Sequence, residues 1–244
     1  MIFAFLDADG LPPIKAKRAK SVFNLSNWGQ DKLQEDVRWK YGIPPAGNAN
    51  YAWIQHMIYH LAPNGKIGLV LANGALSTQS SGEGEIRKNI INADLVEGIV
   101  ALPTQLFYSV TIPVTLWFIS KNKKQKGKTL FIDARKMGYM VDRKHRDFTE
   151  EDIQKLADTF EDFQNGTLEE VKGFSAVADL QMIEKQDYIL TPGRYVGIEE
   201  QEDDGEPFEE KMSRLTSELS AMFAKSHELE DEIRKKLGAI GYEI

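Results

Sequence analysis

The sequence predicts an α/β fold: a largely parallel sheet that closes on an antiparallel hairpin, followed by a C-terminal helical extension. Three observations carry that prediction. "KIGLVLA" (66–72) is a short, nearly continuous apolar run between turn residues, the pattern of a strand buried on both faces. Helix-like and strand-like stretches alternate around it from about residue 49 to 119, as in layered α/β domains. From Phe208 onward, apolar residues recur at alternating steps of four and three, which one long helix gathers onto a single face.

Taken in order, Asn50 to Leu61 places Trp53, Met57, Ile58 and Leu61 at helical spacing and closes on Pro63-Asn64-Gly65, a stop signal. Strand 66–72 follows. Gly82-Glu83-Gly84 leads into "EIRKNIINA", a helix with Ile86, Ile90 and Ile91 inward. "DLVEGIVAL" and "VTIPVTLWFIS" read as strands separated by Pro103, and the lysine-rich turn "KNKKQKGK" (121–128) joins the second to "TLFIDA" as a hairpin. Thr149-Glu150-Glu151-Asp152 starts another helix in capping fashion, with Ile153, Leu156, Ala157, Phe160 and Phe163 inward, and Asn165-Gly166 ends it. "EEQEDDGEP" (199–207) is an acidic break. Beyond it Phe208, Met212, Leu215, Leu219, Met222, Ser226, Leu229 and Ile233 form the heptad seam, with only Ser226 polar. The expected divisions are 1–148, an α/β core; 149–198, a helical and loop extension; 199–207, a linker; and 208–244, a long helix.

Charge is unevenly distributed. The chain carries a net charge of −7, yet residues 1–150 hold 20 Lys and Arg against 13 Asp and Glu, while 151–244 hold 10 against 24. A basic first part suits an anionic ligand, and an acidic second part suits solvent or a partner. There is no cysteine, which excludes disulfides and thiolate metal sites and fits a reducing compartment. No apolar run approaches a signal-peptide core or a membrane span, so a cytoplasmic protein without membrane contact is expected.

Several apparent motifs lack the chemistry they suggest. His56 and His60 stand four apart, as zinc ligands do, but Met57 occupies the place of the general-base glutamate and no third ligand is near, so no metal is expected. Gly82-Glu83-Gly84 resembles a phosphate loop, yet Glu83 and Glu85 would repel a phosphate there. Neither a G-x-G-x-x-G fingerprint nor a G-x-S-x-G elbow occurs. Two basic clusters are candidates for phosphate contact: Lys121, Lys123, Lys124, Lys126 and Lys128 on the predicted hairpin tip, and Arg143, Lys144 and Arg146 in "DRKHRD".

The segments "FNLSNWG" (23–29), "RWKYGIPPAGNANYAWIQHMIYHLAPNGKIGLVLANGALS" (38–77), "GEGEIRK" (82–88), "ALPTQLFYSVTIPVTLWF" (101–118), "LFIDARKMGYMVDRKHRDFTEEDI" (130–153) and "YILTPGRYVG" (188–197) occur in a distinctive order. In that order the chain resembles the modification subunit, a DNA adenine-N6 methyltransferase, of type I restriction–modification systems. The resemblance covers only that family's C-terminal half. It implies part of a Rossmann-like sheet that binds S-adenosylmethionine, with the target adenine flipped out of the duplex.

The family's Asn-Pro-Pro-Phe motif stands directly before the Asn24-Leu25-Ser26 segment. Its Asn oxygen and a proline carbonyl accept the N–H groups of a poorly nucleophilic exocyclic amine, and its aromatic ring stacks on the base. Here Phe23 occupies the stacking position, while Lys20, Ser21 and Val22 replace Asn, Pro and Pro. Lysine offers no acceptor, so no catalytic role is carried over to these three residues. The glycine-rich cofactor loop and the ribose-binding acid, which the family places upstream of this motif, are absent from the nineteen residues before Lys20. The resemblance therefore implies a half-enzyme that is inactive and cofactor-free by itself, with an open sheet edge. Implied partners are DNA within a complex and the specificity and restriction subunits. The seam of Phe208, Met212, Leu215, Leu219, Met222, Leu229 and Ile233 would serve as a partner helix for a specificity subunit, or the chain would form a homodimer through its open sheet edge.

Overall fold

The computed structural model describes residues 2–3 (backbone only), 24–107, 112–198 and 207–242. In chain order the elements are β1 (Ile2–Phe3), α1 (Asn50–His60), β2 (Lys66–Ala72), α2 (Gly74–Ser77), α3 (Glu83–Asn92), β3 (Val96–Ala101), β4 (Val114–Ser120), β5 (Lys128–Asp133), β6 (Tyr139–Met140), β7 (Arg146–Asp147), α4 (Glu150–Asn165), β8 (Ser175–Asp179), α5 (Leu180–Lys185) and α6 (Phe208–Ala239). They fall into two units, Met1–Glu199 and Glu200–Ile244.

In the first unit a six-stranded mixed sheet runs in the order β1-β2-β4-β3-β5-β8. Strands β2, β3 and β5 point the same way: β3 and β5 pair in parallel, and β4 lies antiparallel between β2 and β3. The antiparallel hairpin is therefore formed by β3 and β4. The lysine-rich turn does not close a hairpin: it carries the chain from β4 past β3 to β5, which pairs with β3 instead. Apolar run length predicts strands but not their neighbours, because a crossover and a hairpin use similar turn residues.

Burial follows from position in the sheet. All six residues of β3 and six of seven in β2 are buried, as strands covered on both faces require. On one face α1 and α3 pack Tyr51, Ile54, Ile58, Ile86 and Ile90 over Leu69, Ile99 and Phe131. On the other, α4 lays Phe163, Phe160 and Leu156 over Val70, Val100 and Leu130. Gly98 lets α4 approach, because a Cβ there would lie 3.1 Å from the Phe160 ring.

Two inward faces differ from expectation. In α1 the buried stripe is Tyr51, Ile54, Gln55 and Ile58, and Trp53 is only half-buried. In α4, Ile153 and Ala157 are exposed, and the covering stripe is Leu156, Thr159, Phe160 and Phe163.

Segment 149–198, expected as an extension, contributes β8 to the sheet through pairing with β5. Its last part, 188–197, returns to the core: Tyr195 stacks on Phe131 at 3.8 Å and 8°, and the Leu190 N–H donates to the Leu76 carbonyl at 3.0 Å. At the opposite edge, among the described residues, β1 pairs with β2 at Leu69 and Gly68.

Candidate functional site

In open α/β sheets ligands bind at the carboxyl ends of the parallel strands, because the connecting loops gather there. Here those ends are Ala72, Ala101 and Asp133. The loops that follow are tied to one another: the Asn73 N–H donates to the Pro113 carbonyl at 3.3 Å, and the Arg146 N–H to the Gln105 carbonyl at 3.0 Å. The N-terminus of α1 reaches the same edge, because α1 runs back towards the start of β2. The Tyr51 hydroxyl fixes it there by donating to the Ala75 carbonyl at 2.6 Å.

Residues 24–29 are anchored to this end of α1. The Asn50 side chain, 1% exposed, accepts from the Asn24 N–H at 3.1 Å and donates to the Asn24 side-chain oxygen at 2.9 Å. Asn48 donates to the same oxygen at 3.3 Å. Asn24 has φ 53°, a left-handed conformation that asparagine tolerates better than bulkier residues. The Asn27 N–H donates to the Ala46 carbonyl, and the Trp28 indole to Pro45 at 3.0 Å. The segment after the motif is thus held by side-chain asparagines at the edge where chemistry is expected.

The predicted residues separate by location. Lys20, Ser21, Val22 and Phe23 lie outside the described residues. The lysine turn is at the amino edge, since Ser120 pairs with Lys66 at the start of β2. Within it Lys123 is a correction. It is 3% exposed and bound to Asp94 at 2.5 Å, and burial lowers its pKa against the pull of Asp94, so it is no phosphate contact. Lys121 donates to the Leu61 carbonyl at 2.5 Å, while Lys124, Lys126 and Lys128 are exposed. The second cluster is at the carboxyl edge, around the β6–β7 hairpin. Arg146 is engaged there with the carbonyls of Met137 and Gly138 at 3.0 and 3.1 Å, leaving Arg143 and Lys144 exposed. Two clusters that look alike in sequence therefore lie at opposite ends of the sheet.

His56 and His60 direct their ring nitrogens into local bonds. Arg38 donates to His56 Nδ1 at 2.7 Å, and His60 Nδ1 donates to the His56 carbonyl at 2.8 Å. No group of three ligand-type side chains forms among the described residues. In the second unit, the seam residues of α6 are exposed, from 43% at Leu215 to 75% at Phe208.

Sequence reasoning missed the group beneath the site. Arg87 is buried in α3 and donates to the carbonyls of Tyr188 at 2.7 Å and Thr78 at 2.6 Å. Glu83, one turn earlier, is also buried and accepts from the Thr78 hydroxyl at 2.9 Å, and burial raises its pKa. The available signal was a Glu–Arg pair four apart among isoleucines. Asn73 carries a second missed feature, a buried side-chain oxygen without a hydrogen-bond partner.

The N-6 DNA Methylase family matches residues 16–204. The chain belongs to the N-6 DNA methylase family. It is 59% identical over 226 residues to the HindI methylase subunit of a type I restriction enzyme from Haemophilus influenzae, covering 92% of this chain and 51% of that protein. It is 47% identical to the MjaIX methylase subunit from Methanocaldococcus jannaschii, covering 92% of this chain and 42% of that one. The chain therefore spans about half the length of these curated relatives. Among solved structures, a type I restriction–modification methyltransferase subunit from Streptococcus thermophilus superposes with a TM-score of 0.65 at 26% identity, over 72% of this chain and 36% of that one. The EcoKI M protein shares the fold, with a TM-score of 0.53 at 17% identity over 84% of this chain and 49% of that one. No helix among the described residues is long and apolar enough to cross a membrane.

The N-6 DNA methylase family uses S-adenosylmethionine. Over Gly84 the space is filled, since a Cβ added there would meet the Gln79 amide oxygen at 1.8 Å. Glu83 beside it is buried and turned to Thr78. Asp133, at the end of β5, is held by Arg135 at 2.5 Å.

Proposed function

We propose that this chain forms the adenine-facing half of a type I modification methylase, and that by itself it neither binds S-adenosylmethionine nor methylates DNA. The observation that carries this reading is the anchoring of Asn24 by Asn50 at the carboxyl edge, directly after the motif position. That anchorage holds the residue that directly follows the motif position at the edge where a flipped base would be met. The amine of adenine requires an acceptor at that point, because its lone pair is delocalised into the ring. Lys20 supplies a cation with donors only, and Val22 lacks the fixed φ that a proline would impose. Phe23 retains the ring that would stack on the base, and Arg143 and Lys144 offer charge at the same edge for the DNA backbone. Tritium transfer from labelled S-adenosylmethionine to unmethylated DNA tests the reading: the chain alone should incorporate no label above a no-protein control, and incorporation contradicts it.

A second reading, an assembly module, is favoured by the exposed seam of α6. In the complete complex this helix would dock on the specificity subunit, which selects the DNA site, with the restriction subunit joining the same assembly. Leu215→Asp with Leu219→Asp should abolish co-purification with a specificity subunit; unchanged co-purification rejects that docking.

A further inference from the structure

We propose that, where no specificity subunit occupies its seam, α6 pairs antiparallel with α6 of a second copy of this chain, in a register set by its charges. The helix has 32 residues, and its seam residues Met212, Leu215, Leu219, Leu229 and Ile233 are each more than 40% exposed. Such a face needs a partner helix. What identifies the occupant is the row that flanks the seam, Lys211, Glu218, Lys225 and Glu232, which alternates in sign at seven-residue intervals.

Laid antiparallel on its own copy, the seam forms continuous layers: Phe208 on Ile233, Met212 on Leu229, Leu215 on Ser226, and Leu219 on Met222, each occurring twice by symmetry. In the same register Lys211 meets Glu232 and Glu218 meets Lys225, giving four opposite-charge contacts across the dimer. The small Ser226 packs against the larger Leu215 rather than against itself. On the other flank Glu209 approaches Glu230, whose carboxylate is already held by Arg234 at 2.8 Å. The overlap spans about 39 Å of helix at 1.5 Å per residue.

A parallel dimer is poorer on each count. It stacks Ser226 on Ser226 and Lys236 on Lys236 in the seam. It leaves only Lys225 with Glu230 as a charge match, made twice. In the antiparallel register Lys236 lies beyond Phe208 of the second copy, where solvent reaches it. The existing pairs Arg214–Glu218 (3.1 Å) and Lys236–Glu232 (2.6 Å) are exposed i,i+4 contacts, and exchanging such partners costs little.

Sedimentation of the full chain at low salt tests this, with circular dichroism to confirm that α6 stays helical. The wild type should be a dimer. Lys211→Glu with Lys225→Glu makes the whole row acidic and should weaken self-association by roughly ten-fold or more. Adding Glu218→Lys and Glu232→Lys restores every antiparallel contact and should restore the dimer; a parallel pair would keep the carboxylate introduced by Lys225→Glu against Glu230 and would not recover. Because the chain has no cysteine, cross-linking reports orientation directly. Leu215→Cys mixed with Ser226→Cys should form a disulfide, and Ser226→Cys alone should not. A monomeric wild type that pairs only with a specificity subunit, a dimer indifferent to the double charge reversal, or self-linking of Ser226→Cys would each overturn the proposal.

Discussion

At Asn50 one buried side chain does what a motif cannot do alone: it orients the loop that follows. Asn50→Ala leaves the Asn24 N–H and side-chain oxygen without that partner and should cost about 1–3 kcal/mol. Urea titration followed by tryptophan emission would show it, because Trp28 packs edge-on against Trp39 at 5.8 Å in the same loop. A stability equal to wild type would show that the loop is held some other way. His56 gives a pH-dependent prediction. Burial first, then the neighbouring His60 and Arg38, lower its pKa below the ordinary 6.5, while Arg38 is held by Asp36, whose own pKa falls to about 2. A base whose folded pKa is lowered binds its proton more readily when unfolded. Its stability contribution is therefore complete above pH 6.5 and is lost as pH falls through the lowered value. His56→Asn, which keeps an acceptor near the Nδ1 position, should flatten the fall in urea midpoint between about pH 7 and 5; an unchanged slope would refute the assignment.

Elements were legible in the sequence where one physical signal dominated. The strands at 66–72 and 96–101 announce themselves as apolar runs, and Thr149 with Asp152 forms the capping box its sequence indicates. What escaped was set by neighbours distant in the chain. Nothing in "KNKKQKGK" says that β4 pairs with β3 on one side and β2 on the other, so neither the crossover nor the burial of Lys123 beside Asp94 could be read locally. The loop at 24–29 was recognised by resemblance, yet its hold on Asn50, 26 residues away, required the fold. Arg87 was invisible for the same reason, since its partners Tyr188 and Thr78 come from segments 101 and 9 residues distant. Arg87→Met strands two carbonyls and should cost about 1–3 kcal/mol, read by thermal melt. Arg234→Met on exposed α6, measured by thermal melt, should cost under about 0.5 kcal/mol. Equal costs would show that the Arg87 cluster does not support the core.

At the scale of the whole molecule, the chain divides into a basic first part and an acidic second part. The sheet unit gathers its loops, with Arg143 and Lys144, at one edge, and α6 presents an apolar seam between charged flanks. The central claim is that a competent adenine-facing scaffold has been kept while the motif at its rim has been altered. A chimera tests that claim most directly. The half of the Haemophilus influenzae relative that this chain does not match would be joined to residues 20–198 of this chain and completed with the relative's own C-terminal segment. Methyl incorporation into DNA would then be measured with Lys20-Ser21-Val22 as found, and again with Asn-Pro-Pro in their place. The account predicts label only in the second protein, at least a hundred-fold above the first. Equal transfer by both, or none by either when both fold, would contradict it.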